Sequence, residues 1–232
     1  MNSKTLVKKY NLSKEALDRV SQSIKKAESK SSGEIVLALA AESSDYSIWE
    51  LFAALVVSLL ATIVLLPFAE NIRAYYESLN WASPEWYLPA IYTFTSFSLI
   101  LLFFGLFNLF EPLDRLVIPR AFRTKAVSER ALRTFCEQGV YATRERTGIL
   151  IYVSFLEKQA RVLADEGIAK KIGPDLWGLI VNGLVEEIGR KNAEAAFCEA
   201  VEKCGDLLAQ YFPAREDDNP DELDDGVVIL DR

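Results

Sequence analysis

The sequence has no histidine, three cysteines and a single methionine among its 232 residues. Without histidine, a Ser-His-Asp triad, a Cys-His pair and an HExxH zinc site are all excluded. A sparse, odd number of cysteines argues against a disulfide framework and is typical of a reducing compartment. No glycine-rich phosphate-binding motif stands at a strand–helix turn, so no nucleotide site is indicated. Cys136 and Cys204 lie on apolar helix stripes and are predicted to be core residues.

Charge is absent from two long stretches of the chain. The protein as a whole carries a net charge of −7, which argues against nucleic acid as a partner. Residues 51–69 and 86–110 contain no charged side chain at all. Each stretch is long enough to cross the hydrocarbon core of a bilayer, which takes about 20 helical residues, and neither has the polar face of a core helix. The sequence therefore predicts a transmembrane hairpin over 46–114, with helices at about 49–69 and 86–110.

The basic residues predict the orientation of this hairpin. Eight Lys and Arg residues precede the first span, Arg73 lies between the spans, and seventeen follow the second. By the positive-inside rule both termini are cytoplasmic and residues 70–85 face outward, as in a bacterial inner-membrane protein. The polar first 45 residues predict no cleavable signal peptide. The basic cluster at 115–125 is explained by this topology, and contact with anionic lipids is a second interpretation.

The segments on both sides of the hairpin predict one divided α/β domain. One strand before the hairpin and two after it are too few to form stable sheets separately, so we expect them to share a sheet covered by helices. Ser13 is the expected N-cap of the first helix. The predicted elements are a helix over 13–30, a strand over 34–41, a helix over 121–143, strands over 149–155 and 159–164, and helices over 176–188 and 192–211. The two parts of the domain are then 1–45 and 115–213, followed by an acidic tail over 214–232.

Carboxylates are the remaining candidates for chemistry. Asp165 and Glu166 follow a predicted strand, Asp175 begins a helix, and the tail adds further acids such as Glu222 and Asp225. Ca²⁺ and Mg²⁺ prefer such oxygen ligands. The spacing fits no EF-hand loop. The favoured interpretation is therefore a solvated tail and helix-capping aspartates, with a metal site as the alternative.

Several short motifs, taken in order along the chain, resemble the TPM domain family, named for a thylakoid lumen protein, a photosystem II repair factor and a nematode receptor modulator. The match covers most of the chain outside residues 45–115. The motifs are Ser32-Gly33-Glu34-Ile35-Val36, Arg146-Thr147-Gly148-Ile149-Leu150-Ile151, Ala164-Asp165-Glu166-Gly167-Ile168, Trp177, Phe212-Pro213 and Asn219-Pro220-Asp221-Glu222-Leu223. The resemblance implies a small α/β/α sandwich, here a variant interrupted by the transmembrane hairpin.

The resemblance implies one of two functions. Some plant members of the family are described as acid phosphatases, whereas others act in membrane-complex repair or as receptor auxiliaries. Asp165 is the one carboxylate that carries over, as a candidate ligand for Ca²⁺ or Mg²⁺. Many soluble members have Asp-Asn before the glycine of the second strand, where this chain has Arg146-Thr147. This difference argues against a metal-assisted phosphatase.

A non-catalytic module that binds or helps maintain a membrane protein complex is therefore the preferred function. A metal-dependent acid phosphatase that acts on phosphate esters is the alternative. In the first span, Ala54, Ser58 and Thr62 lie four residues apart on one helix face. Small residues at this spacing let two membrane helices approach closely, so a homo-oligomer through the first membrane helix is one interpretation. Incidental small residues in an apolar helix are the other.

Overall fold

The computed structural model describes residues 3–79, 87–109, 111–214 and 222–230. Predictions that concern residues 1–2, 80–86, 110, 215–221 and 231–232 lie outside this range. The helices are α1 (Ser3–Lys9), α2 (Lys14–Glu28), α3 (Ser47–Leu65), α4 (Ala69–Leu79), α5 (Tyr87–Leu109), α6 (Glu111–Val117), α7 (Arg120–Glu137), α8 (Glu166–Ala169), α9 (Pro174–Gly189) and α10 (Ala193–Tyr211), with 3₁₀ turns at Leu66–Phe68 and Val140–Ala142. The strands are β1 (Glu34–Ala40), β2 (Gly148–Ser154), β3 (Gln159–Ala164) and β4 (Val228–Leu230).

The chain divides into two compact units. Met1–Ser44 and Arg120–Arg232 form the first unit, and Asp45–Pro119 form the second. The predicted hairpin over 46–114 falls inside the second unit, which also includes α6. The first unit, called the sheet unit below, is therefore built from two chain segments.

Within the described part of the first unit, four strands form a sheet in the order β3-β2-β1-β4. β1 and β2 pair in parallel from Glu34 opposite Gly148 to Ala40 opposite Ser154. β3 returns antiparallel to β2, as expected for a hairpin partner. The prediction that one strand before the hairpin and two after it share a sheet is confirmed, and β1 lies in the interior of that sheet.

Helices cover both faces of the sheet. Successive side chains of a strand point to opposite faces. Ile35, Leu37 and Leu39 of β1 pack in one apolar cluster with residues of α2, α9 and α10. The alternate residues, such as Val36 and Ala38, pack in a second cluster with residues of α7. Every residue of β1 and β2 is buried, so the α/β/α sandwich is confirmed.

The acidic tail contains a strand that the sequence interpretation missed. β4 pairs in parallel with β1, with Ala38 opposite Val228 and Ala40 opposite Leu230. A run of four apolar residues, 227–230, is too short to stand out from the acids around it, and its pairing partner lies near the other end of the chain. The prediction of a solvated tail over 214–232 is therefore wrong for its last described residues.

The helix ends follow local chemistry. The Ser13 hydroxyl accepts a hydrogen bond from the Ala16 amide at 3.2 Å, which confirms the predicted N-cap. α7 ends at Glu137, earlier than the predicted 143, because Gly139 adopts a left-handed φ of 67° that the helix cannot continue.

Cys204 is buried as predicted, but Cys136 is exposed near the end of α7, so the prediction of a core residue there is wrong.

Among the described residues of the second unit, two helices are long and apolar enough to cross a membrane. One extends over Ser47–Leu79 with a mean hydropathy of 2.7 in its most apolar window, and the other over Pro89–Phe107 with 2.0. The predicted outward loop 70–85 is partly helical, since α4 follows α3 after a 3₁₀ turn. Pro67 in that turn has no backbone N–H to continue the α-helical pattern.

The small-residue stripe of α3 faces α5 of the same chain. The Ser58 hydroxyl donates to the Ser96 carbonyl at 2.9 Å, and the Thr62 hydroxyl lies 2.9 Å from the Ser96 hydroxyl. Ala54 is completely buried in this unit, next to Phe107 in the same apolar cluster. A second copy that packs against α3 would therefore have to use another face of the helix.

Candidate functional site

Three of the motifs that carry the family resemblance meet at one end of the sheet. The Thr147 hydroxyl donates to the Ser32 carbonyl at 2.8 Å, and the Glu34 amide donates to the Thr147 carbonyl at 3.2 Å. The Asp165 amide donates to the Gly148 carbonyl at 2.9 Å. The amino ends of β1 and β2 and the carboxyl end of β3 are thereby brought together. Motifs far apart in sequence form one contiguous loop surface.

Asp165 begins α8 on this surface. Its Oδ1 accepts a hydrogen bond from the Glu166 amide at 2.6 Å, so it acts as the N-cap that the capping interpretation predicts. The Arg146 guanidinium lies 3.9 Å from the same oxygen. Asp165 is only 6% exposed, and its other oxygen, Oδ2, is buried with no hydrogen-bond donor among the described residues. A cation at this carboxylate would therefore meet a guanidinium nearby.

The loop before β2 holds Arg146 in an unusual conformation. Its φ of 57° lies in the left-handed region, which asparagine, aspartate and glycine tolerate better than arginine does. The Gly167 amide donates to the Arg146 carbonyl at 3.1 Å. A Cβ on Gly167 would lie 2.5 Å from that carbonyl oxygen, so only glycine fits. The close approach explains the glycine of this motif in physical terms.

The other acids predicted near Asp165 do not complete a metal site with it. Glu166 pairs with Lys170 at 2.7 Å, and this hydrogen bond lowers the pKa of Glu166. Asp175 lies in the first turn of α9 and is exposed. Within the ranges that the structure describes, no three Asp, Glu, Cys or His side chains are placed to hold a metal ion together.

A second acidic cluster lies beside the amino end of β1 and was not predicted. Glu28 Oε1 accepts a hydrogen bond from the Ile35 amide at 2.7 Å. Burial raises the pKa of Glu28 to about 10, and a hydrogen bond with Asp225 adds to the effect. Burial opposes charge on Asp225 as well, but its hydrogen bonds with Glu28 and Lys25 prevail and lower its pKa. Lys25 Nζ lies 3.0 Å from Asp225 Oδ2.

These opposite shifts assign the charges of the pair. Glu28 is neutral at neutral pH and donates its proton, whereas Asp225 is a carboxylate that accepts it and also pairs with Lys25. The pair fastens the segment before β4 to α2, since Asp225 lies three residues before Val228, where β4 begins to pair with β1. The sequence interpretation named Asp225 only as part of the tail. Its contact with Glu28 is a tertiary one that no local pattern signals.

Glu28→Gln should make the protein more stable at pH 8, because glutamine reproduces the neutral form of Glu28. A group whose pKa is raised from 4.5 to about 10 on folding stabilises fully below its unfolded pKa, and this stability is lost as pH rises through the folded pKa. Between those values the unfolded state releases a proton that the folded state keeps. We expect a gain of about 1–3 kcal/mol at pH 8 and little change at pH 4. Urea unfolding of the detergent-solubilised chain measures both.

Glu28→Ala is the control for this prediction. Alanine loses the hydrogen bonds with the Ile35 amide and Asp225, so it should destabilise the protein at both pH values. A Glu28→Gln variant whose stability falls with pH as steeply as that of the parent would contradict the assignment of the proton to Glu28.

A buried polar network lies at the opposite end of the sheet. The Ser43 hydroxyl donates to Ser154 Oγ at 2.9 Å and lies 3.0 Å from the Tyr152 hydroxyl. Glu157 accepts from the Ser43 amide at 2.8 Å and from the Ser154 hydroxyl. Burial raises the pKa of Tyr152 to about 12, so it stays a neutral phenol. The network anchors the end of β1 immediately before the chain enters the second unit.

Neither a protein-family model nor a curated protein matches this chain. Among solved structures, the chain is similar to the NMR structure of the BA42 protein from the psychrophilic bacterium Bizionia argentinensis, with a TM-score of 0.55 and 19% sequence identity over 94% of each chain. At this identity the likeness concerns the fold alone. The resemblance to the TPM domain family stays a prediction from the sequence.

Proposed function

We propose that this chain is an integral membrane protein that crosses a bacterial inner membrane twice and holds its sheet unit at the cytoplasmic surface. The exposure of the two apolar helices is the observation that carries the proposal. Only 11% and 6% of the residues in their most apolar windows are buried, whereas a core helix would be mostly buried. Leu59, Phe94 and Leu102 are 61%, 72% and 56% exposed. Lipid is the environment that suits such surfaces.

The pairing of β1 with β2 in the sheet unit favours an even number of membrane crossings. β1 precedes the apolar helices and β2 follows them, yet the two strands are hydrogen-bonded neighbours. The chain therefore has to return to the side of the membrane that it left. The excess of Lys and Arg outside the hairpin favours the cytoplasm as that side.

We propose further that the sheet unit binds or helps maintain another membrane protein rather than catalysing a reaction. Asp165 caps a helix beside the Arg146 guanidinium, which would repel a cation placed there. The Glu28–Asp225 pair and the Ser43–Glu157 network tie backbone segments together. These contacts favour a structural role for the buried polar groups, and membrane-complex maintenance is also one of the roles that the family resemblance implies.

Reporter fusions test the topology. A reporter fused after Arg232 should be active only when cytoplasmic activity is required, because the positive-inside rule places both termini there. A tag inserted near Ser78, which is exposed in α4, should be reachable from outside in intact cells. A matched tag in the sheet unit, at Gly189, should stay protected. External activity of the C-terminal reporter would overturn the proposed orientation.

A metal-dependent phosphatase is the second candidate function, and one observation favours it. Asp165 Oδ2 is buried without a hydrogen-bond donor among the described residues, which leaves an oxygen that a cation would satisfy. Turnover of a phosphate ester that requires added Mg²⁺ or Ca²⁺, and that is lost in a folded Asp165→Asn variant, would establish this function in place of the proposed one.

A further inference from the structure

One side of α7 exposes apolar and basic residues together. Phe122 is 41% exposed and Leu132 is 59% exposed, both high values for large apolar side chains in a helix that packs on a sheet. Lys125, Arg133 and Cys136 are exposed on the same side, at helical spacing. These five residues are called the outer face of α7. Its opposite side, with Val127, Ala131 and Phe135, is buried on the sheet.

The local charge is opposite in sign to that of the whole protein. α7 contains five basic residues and two acidic residues, a net charge of +3, whereas the chain carries −7. Glu129, which lies on the outer face by helical spacing, is 3.7 Å from Lys125 in an exposed pair four residues apart. Exposed pairs of this kind contribute little, so a denser array of negative charge would compete with Glu129 for Lys125.

We propose that the outer face of α7 lies on the anionic headgroups of the bilayer that the protein spans. Helices that lie in a membrane interface combine basic residues with apolar residues that insert at the acyl boundary. Lys125 and Arg133 supply the charge, while Phe122 and Leu132 supply the apolar contact. The proposal rests on the proposed two-span topology and adds a lipid-binding surface on the sheet unit.

The position of α7 in the chain suits this partner. α5 ends at Leu109 and α7 begins at Arg120, with the helix α6 between them. Eleven residues reach at most about 40 Å even when extended, and a helical segment reaches less. On the proposed topology, at most about 40 Å of chain therefore joins the end of the second span to the start of α7, which leaves α7 within reach of the headgroups.

Cys136 makes the contact measurable, because it is a free thiol on the outer face. Cys204 is fully buried, and burial raises the pKa of its thiol to about 12, so it should not react in the folded protein. With Cys198 replaced by Ser, a fluorophore attached to the full chain reports on Cys136 alone. The labelled protein is placed in nanodiscs of phosphatidylcholine, with or without phosphatidylglycerol, that contain a lipid with a nitroxide near its headgroup.

We expect the nitroxide to quench the fluorophore at least about twofold more strongly in phosphatidylglycerol discs, and high salt should reverse the difference. In the same discs, Lys125→Glu/Arg133→Glu should lower the ratio of membrane-bound to detached α7, which the quenching reports, by at least about thirtyfold. Arg190→Glu/Lys203→Glu is the matched control. It changes the net charge by the same amount, at two exposed basic residues that form intrahelical pairs away from α7. The control should quench as the parent does.

A label at Leu59→Cys, in a background with Cys136 also replaced by Ser, separates this proposal from the topology. Leu59 is 61% exposed on the first apolar helix, and nitroxides within the acyl chains should quench a label there in both kinds of disc. Suppose that the label at Leu59→Cys is quenched, but the Cys136 label is quenched equally in neutral and anionic discs. That result would overturn the lipid-binding surface and leave the two spans standing. Absence of quenching at Leu59→Cys would overturn the two spans and the lipid surface with them.

Discussion

Replacing Asp45–Pro119 with a short flexible linker should turn this chain into a water-soluble protein that unfolds in one cooperative transition. The replaced residues carry both apolar helices, and the sheet unit has apolar clusters of its own on both faces of the sheet. Loop closure depends only weakly on length, so a shorter connection brings no large entropic penalty. Size-exclusion chromatography without detergent and urea unfolding test both parts of the prediction.

The sheet unit also fixes how long the linker must be. Ser43 contacts Ser154 at the end of β2, and Ser154 pairs with Gln159 of β3. The Gln159 side chain donates to the Thr124 hydroxyl in α7 at 3.2 Å. Neighbouring strands lie about 4.8 Å apart, so both attachment points lie at the same end of the sheet, a few strand widths apart. A linker of about 8–10 residues spans that distance with slack.

Residues 120–232 alone are the control, and this piece should aggregate. It lacks β1, whose seven residues are all buried and which pairs with both β2 and β4. Without β1, the parallel edge of β2 and the apolar faces of α9 and α10 would be open to other molecules. A soluble, cooperatively folded 120–232 piece would show that β1 is dispensable for the sheet unit.

The elements that the sequence predicted well are those with strong local patterns. Long uncharged runs, the Ser13 cap and the short apolar strands of β1 and β2 each follow from residues close together in the chain. The prediction that strands on both sides of the hairpin share one sheet followed from a physical constraint, since a lone strand cannot remain unpaired. These predictions did not depend on knowing which residues meet in space.

The features that the sequence interpretation missed depend on contacts between residues that are far apart in the chain. β4 is recognisable only because β1 lies beside it. The neutral state of Glu28 follows from its burial in the fold and from its hydrogen bond with Asp225, which is far away in the chain. Cys136 sits on an apolar stripe in sequence, but the helix turns that position away from the sheet. The site motifs are readable in the sequence but their geometry is not: the Arg146 guanidinium beside Asp165, which favours the capping role over the metal role, depends on how two separate loops meet.

Gly148→Ala should destabilise the sheet unit severely, although it adds a single methyl group. An ideal Cβ at this position lies 2.1 Å from the Val140 carbonyl oxygen and 2.7 Å from Val140 Cγ1. Val140 is fully buried and lies in a 3₁₀ turn, and Gly148 is paired opposite Glu34 in the parallel register. Neither residue can therefore shift easily to relieve the clash. We expect a loss of at least about 3 kcal/mol in the free energy of unfolding.

Gly183→Ala in α9 is the matched control, because a Cβ there meets nothing within 4 Å. In the interior of a helix this change should stabilise the protein by about 0.5–1 kcal/mol, since alanine restricts the unfolded chain and favours the helix. Urea unfolding of the linker form measures both variants on one scale. Because the clash is with a backbone oxygen, lengthening or shortening neighbouring side chains should not rescue Gly148→Ala. A Gly148→Ala protein as stable as its parent would mean that the turn at Val140 moves freely, and the loop surface around Asp165 would then not be rigidly supported.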